Sequence, residues 1–411
     1  MKPIRSSLRL LLAGVLMLGF SATAQNPPVP SPASPTIAHG PLLLNPSSDG
    51  ADVVWFTDRP CVSWVEYGAG GDFKTFPQFG GLIKIARTVR HGLVEAGSSV
   101  HRVRIEGVKP GTRIRYRIAS KEILQFEPYE VVFGATVLGE IGEFQTLDPA
   151  RTEFEFLVFQ DIHGDAAKLK TLLSKAASPA PDFVFFNGDT LSDLGSEDSI
   201  FRGFIDPASR LFAGRTPFFY VRGNHDARGR LARRLEDFFP PRDGRYYYSF
   251  DQGPVHFVVL DSGEDKPDDS PVYAGLTAFD RYREEQAAWL KSEIATPAFK
   301  KAAFRIVVVH FPLFGTGYGV EHATRLWGPL LNEGGVDVVL SGHYHKLVKF
   351  EPAAEKNTFP VLGGPVDGVI KALVRPNQIS IQVIDLKGLI VDQINIRAKT
   401  GKAEREGFPS R

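Results

Sequence analysis

The stretch FEFLVFQDIHGD, residues 154–165, decides the fold. Six residues from Phe154 to Phe159 run almost without a polar break, and the chain then turns polar at Asp161-Ile162-His163. A near-continuous apolar run of this length reads as a strand covered on both faces. The same form returns five times downstream. DFVFF (182–186) leads into Asn187-Gly188-Asp189, and PFFYV (217–221) into Gly223-Asn224-His225-Asp226. VHFVVL (255–260) follows, then FRIVVV (304–309) ending at His310, and VDVVL (336–340) before Gly342-His343-Tyr344-His345. Helical stretches lie between some of them: Ala166–Ala177, and Arg281–Ile294 with Ala287, Leu290 and Ile294 on one face. Buried strands alternating with helices predict an α/β domain of sheets flanked by helices. QISIQV (378–383) and LIVDQINI (389–396) read as its closing strands. Carboxylates, an amide and imidazoles gather at the C-terminal ends of the strands, where α/β sheets place their ligand sites.

Upstream, from Gly40 to Thr146, the period is two. ADVVWFT (51–57), VSWVEY (62–67), VHRVRI (100–105) and IRYRIA (114–119) are short β-rich runs between turn residues, which predicts a small all-β sandwich over 40–148. Residues 25–39 hold the Pro/Ser-rich run QNPPVPSPASPTIA and read as an extended linker. Before it, Lys2, Arg5 and Arg9 precede the apolar run Leu10–Phe20, and Ala22-Thr23-Ala24 supplies small residues for cleavage. That pattern predicts a signal peptide over 1–24, because the run is shorter than the ~20 apolar residues a bilayer needs. Its removal takes away three positive charges and leaves a mature balance of −2. Export to a periplasm or medium follows as an expectation, with no membrane span. The near-neutral charge argues against a nucleic-acid partner without excluding one.

Cys61 is the single cysteine, so neither an intrachain disulfide nor a Cys-rich zinc site is available. Imidazole and carboxylate at the strand ends suit Zn, Mn or Fe and do not form an all-oxygen calcium cage.

The ordered set D-x-H, G-D, G-N-H-D, H and G-H-x-H resembles the calcineurin-like metallophosphoesterase superfamily over about residues 152–400. The sandwich ahead of it resembles the arrangement in purple acid phosphatases. Within the sandwich, Trp55, VEYG (65–68) and HRVRIEGVKPGTRIRYRI (101–118) resemble a fibronectin type III-like domain, with Ile114 where that family has its corner tyrosine and Tyr116 two further on. The resemblance implies a layered αββα catalytic domain and two metal ions. One would take Asp161, His163, Asp189 and His345; the other Asp189, Asn224, His310 and His343, with Asp189 bridging. It implies an exported phosphoesterase that hydrolyses a phosphomonoester or phosphodiester by attack of a metal-bridging hydroxide. His225 would face the substrate and protonate the leaving oxygen, with Asp226 orienting it. Arg222 is a further candidate for phosphate contact.

Two departures from purple acid phosphatases alter the expectation. Ser192 stands where they carry the iron-ligating tyrosine, and His163 where they carry glycine. No tyrosinate-iron centre, and so no purple colour, is expected. Asp193 is expected to cap the next helix. His39, His91, His101 and His256 fall outside every motif and read as structural, while His322 lies near enough to His310 to reach the substrate mouth. The competing readings are a phosphodiesterase or nuclease acting on a polymer, kept open by Arg228, Arg230, Arg233 and Arg234 just after His225, and a non-catalytic binding module built on the sandwich.

Overall fold

The computed structural model describes residues 34–69, 83–176 and 180–398. The signal peptide, the linker as far as residue 33 and the last two residues of the 152–400 stretch lie outside them. The expected linker ends earlier than 39, because Ile37–Leu44 is already the first strand.

Two sheets stack face to face. In the first, Phe154–Phe159, Phe183–Asn187 and Phe218–Val221 run parallel, and Gly368–Arg375, Gln378–Asp385 and Ile390–Arg397 extend it antiparallel from the Phe154 strand. In the second, Val255–Leu260, Phe304–Val309 and Val338–Ser341 are the parallel centre. Their facing sides meet in one core that includes Phe156, Phe183, Phe219, Phe257, Ile306 and Leu340. Phe219 stacks on Phe250 at 4.3 Å between centroids, and Phe156 meets Phe257 edge-on at 5.3 Å. Aromatic pairs add to area burial when offset or edge-on, so phenylalanines at alternate strand positions lock the two sheets in register.

Helices cover both outer faces. Ala166–Ala176 buries Leu169 and Leu172 against the first sheet. Phe279–Glu293 and Tyr318–Gly334 bury Leu290, Trp327 and Leu331 against the second. The layers are therefore αββα, as expected, and every parallel strand named above is apolar on both sides because both sides are covered.

The N-terminal region is all-β, with its own core around Trp55, Tyr116 and Phe144. The two expected strands at 51–57 and 62–67 are one strand, Ala51–Ala69. Its Asp58-Arg59-Pro60 segment reads as a turn, but a register shift between Phe56 and Cys61 absorbs it. A bulge of this kind bends a strand without ending it. The first half pairs with Ile37–Leu44 and the second with Arg113–Glu127. Leu44 also pairs in parallel with Phe218, so the N-terminal and catalytic sheets are continuous. Tyr116 does not close a corner inside the sandwich: its buried hydroxyl donates to the Gly214 carbonyl at 2.8 Å, just ahead of the Phe218 strand.

Candidate metal centre

Each expected ligand sits where a strand of the two stacked sheets stops. Asp161 and His163 follow the Phe154 strand, Asp189 the Phe183 strand, Asn224 the Phe218 strand, His310 the Phe304 strand, and His343 and His345 the Val338 strand. Five of them hold the left-handed backbone conformation that non-glycine residues avoid: Asp161, His163, Asp189, His343 and His345, with φ between 50° and 73°. Such residues cost on the order of 1–3 kcal/mol each and persist only where the surroundings over-determine them. Clustered here, they turn the chain sharply so that side chains from separate strands converge.

The donors form two sets that share one carboxylate. Asp161, His163, Asp189 and His345 offer ligand atoms within 4.8 Å of one another, and so do Asp189, His310 and His343. Nε2 of His345 is 3.3 Å from Asp161 Oδ1 and 3.1 Å from His163 Nε2. Nε2 of His310 is 3.3 Å from Asp189 Oδ2. Asn224 joins the second set through Oδ1, 3.0 Å from His343 Nδ1.

The residues around the donors aim them. His310 Nδ1 lies 2.8 Å from the Asn187 carbonyl, which fixes the proton on Nδ1 and leaves Nε2 facing the cluster. That Nε2 and Asp161 Oδ1 are buried and meet, at 3.3 Å, only Asp189 and His345 respectively, neither contact a well-directed hydrogen bond. Buried polar atoms are nearly always satisfied, so two such atoms aimed into one cluster fit a cation. Gly188 and Gly223 leave the space: a Cβ on Gly188 would lie 2.3 Å from His310 Nδ1, and one on Gly223 2.4 Å from Asp189 Oδ1.

The electrostatics agree. Burial alone would raise Asp189, but the adjacent His310 imidazole overrides it and holds the carboxyl well below its usual range. Burial would likewise lower His310, and the Asp189 charge outweighs that and pushes it up. Burial takes His343 down to about 4, keeping it neutral and able to donate a lone pair. A cluster that retains a proton between carboxylates this deep is one that a cation can occupy in the proton's stead.

His225 is oriented differently from the expectation. Its Nδ1 is 2.7 Å from the Ser192 carbonyl, and Arg228 Nη1 is 3.1 Å from its Nε2. Asp226 does not touch it: that carboxylate is fully buried and accepts the Gly223 amide at 2.9 Å, bracing the loop. Burial, and then the Asp189 charge, lift its pKa. Arg222 is also engaged elsewhere, with Nη2 2.6 Å from Asp261 and its guanidinium over the rings of Tyr246, Phe279 and Tyr282. Asp193 closes a turn on the Gly195 amide, and the helix cap is Ser196, which accepts from Ser199. His322 is buried against Asp280 at 3.2 Å.

Arg228 is the residue that the sequence reading missed in this role. It links His225 to Glu264, whose side chain is almost wholly buried, at 2.9 Å, and to Asp265 at 3.2 Å. Its place in an arginine run was visible, but nothing in the sequence separates it from its solvent-facing neighbours.

An αββα sandwich with a shared-carboxylate donor cluster at its strand ends defines the metal-dependent phosphoesterase class. Residues 154–347 match the family model for calcineurin-like phosphoesterases. The match places a calcineurin-like phosphoesterase domain in this chain, and the layout around it is similar to that of purple acid phosphatases. It is 24% identical to purple acid phosphatase 21 of Arabidopsis thaliana over 64% of this chain and 55% of that protein. To purple acid phosphatase 18 of the same plant it is 23% identical, over 71% and 62%. Over 32% of its length it is 27% identical to the serine/threonine-protein phosphatase CPPED1 of Pongo abelii, covering 42% of that protein. Among solved structures, purple acid phosphatase PPD1 from yellow lupin seeds superposes with a TM-score of 0.63 at 15% identity, over 89% of this chain and 74% of that one. The matches to the two Arabidopsis relatives thus span less than two thirds of their lengths.

Proposed function

We propose that the protein is a phosphoric ester hydrolase that works with two metal ions. The observation that carries this is the pair of donor sets meeting at Asp189, with His310 Nε2 and Asp161 Oδ1 buried between them and making no well-directed hydrogen bond. Metal ions held there would acidify a water and clamp the phosphoryl oxygens for in-line displacement. Asp161, His163, Asp189 and His345 would hold one, and Asp189, Asn224, His310 and His343 the other. The donor types suit Mn, Zn or Fe. With Ser192 in place of a tyrosine, no ferric tyrosinate colour is expected.

The remaining chemistry belongs to the chain. His225 stands beside Asp189, with Nε2 3.9 Å from Oδ2, and presents an imidazole to a phosphoryl group bound at the cluster. It would protonate the departing oxygen. Ser192 keeps the ring oriented through Nδ1, the role first expected of Asp226, and Nε2 gives up its contact with Arg228 when it carries the proton. Lys168, whose Nζ donates to the Asp161 carbonyl at 2.8 Å, stiffens the first ligand loop.

The same reading takes residues 1–24 as a cleaved signal peptide, 40–148 as a fibronectin III-like domain, and the mature chain as exported. No described helix is long and apolar enough to cross a membrane. N-terminal sequencing of secreted protein would start after Ala24 if this is right, and at Met1 if it is not.

Hydrolysis of p-nitrophenyl phosphate beside bis(p-nitrophenyl) phosphate, by protein reconstituted with Mn, Zn or Fe, tests the activity. One of the two esters should turn over, and His225→Ala should lower its kcat by about 100-fold or more, the usual scale of general acid catalysis. Metal-loaded protein that hydrolyses neither ester faster than that variant would overturn the proposal.

A further inference from the structure

Beside His225 the surface opens into a cavity of about 590 Å³. One wall is the short helical turn Arg230–Arg234, and the other is the loop around Pro271–Thr277. The proposed proton donor marks the side on which the alcohol leaves, and Arg228, which touches His225, also lines the cavity. On the phosphoesterase reading, a group departing past His225 toward Arg228 would enter this space.

Its lining has a definite chemistry. Glu264 is the sole carboxylate in the described lining, and Arg228 already neutralises it. Lys266 is paired with Asp265 at 2.9 Å. Arg230 and Arg233 have no carboxylate partner among the described residues: Arg230 Nε donates to the Gly195 carbonyl, and Arg233 Nη2 to the Leu276 carbonyl. Those backbone bonds hold two guanidiniums in place while leaving their charge uncompensated. The same lining holds apolar surface, with Val272 70% and Leu276 68% exposed. A second cavity of about 300 Å³ shares Arg233 and Leu276 with the first and adds the rings of Phe279 and Tyr282.

We propose that this cavity is the leaving-group subsite, and that it selects phosphoesters whose leaving group joins a flat apolar ring to a further negative charge. The ring would lie on Leu276 and Val272 and the anion against Arg230 and Arg233. Guanidinium planes both stack on rings and pair with carboxylate or phosphate oxygens, so one wall serves both parts of such a group. The proposal rests on the phosphoesterase reading and adds the substrate class to it.

Phenyl phosphate and 4-carboxyphenyl phosphate differ by the added charge. They are used as monoesters or as methyl diesters, according to which p-nitrophenyl control turns over. The readout is the ratio of their kcat/KM values in wild type, in Arg230→Gln/Arg233→Gln and in Arg230→Lys/Arg233→Lys, so that the intrinsic leaving ability cancels between proteins. Wild type should favour the carboxylated ester. The glutamine pair should cut that preference by about fivefold to tenfold, the scale of two partly exposed charge contacts. The lysine pair should keep most of it. An equal ratio in wild type and the glutamine pair, or the same loss with lysine as with glutamine, overturns the subsite while the controls still turn over. Failure of both p-nitrophenyl controls overturns the phosphoesterase reading and the subsite together.

Discussion

His256 and His101 make opposite contributions to stability. Neither belongs to the metal cluster, and both were read as structural from their lack of a motif. Burial alone would lower His256, but hydrogen bonds with Asp251 at 2.6 Å and Glu293 at 3.0 Å outweigh it and raise its pKa. A raised histidine stabilises the fold fully below its ordinary value of 6.5 and loses that contribution as pH climbs through the folded value. Burial instead takes His101 down to about 4 beside Thr57 and Trp55. Its contribution is complete above 6.5 and is lost as pH falls toward about 4. Urea midpoints measured from pH 4 to 9 should therefore show His256→Gln flattening the alkaline decline and His101→Gln flattening the acid one. Parallel curves for all three proteins would contradict both assignments.

The strand-to-loop junction is the unit that makes the site. Gly188 shows its tolerance: with φ of +83° and no room for a Cβ beside His310, Gly188→Ala should displace that imidazole from the Asn187 carbonyl. Metal analysis should show about one ion lost per chain with the fold retained by circular dichroism; full occupancy in the variant would contradict the role given to this junction. How much of this was legible followed from how local each signal was. The apolar runs were read to within about two residues, because burial on both faces leaves a continuous pattern. The ligand types were legible because they follow those runs directly. The left-handed turns at Asp161, His163 and Asp189 were not, since long-range packing imposes them on residue types that adopt them only occasionally. The segment 191–215 holds helical turns from Glu197 to Ala213, which the sequence reading did not delimit. Ile200, Phe204, Ala208 and Phe212 recur every four residues there, and wide π-type turns over Phe201–Ile205 and Ser209–Ala213 accommodate that spacing. The helix Tyr318–Gly334 was hidden by Gly319, Gly328 and Pro329 within it. The pairing of Arg222 with Asp261 was not legible, because a sequence cannot show which carboxylate, here thirty-nine residues on, claims an arginine.

At the scale of the molecule, the N-terminal all-β region and the catalytic layers share a sheet through Leu44 and Phe218 and are joined by Tyr116. Arg102 adds a bond to the Glu236 carbonyl at 2.7 Å. This continuity predicts one calorimetric unfolding transition for the mature chain. Tyr116→Phe should lower it by about 1 kcal/mol of stability, the usual net value of a buried hydrogen bond, without splitting it. Two separate transitions in wild type would show that the parts stand independently. The central claim is that two metal sites meet at Asp189, and metal content per chain tests it most directly. Elemental analysis after reconstitution and gel filtration should give two ions per chain in wild type and at most one in Asp189→Ala, with hydrolysis lost alongside. One ion or none in active wild type, or two retained in Asp189→Ala, would contradict it.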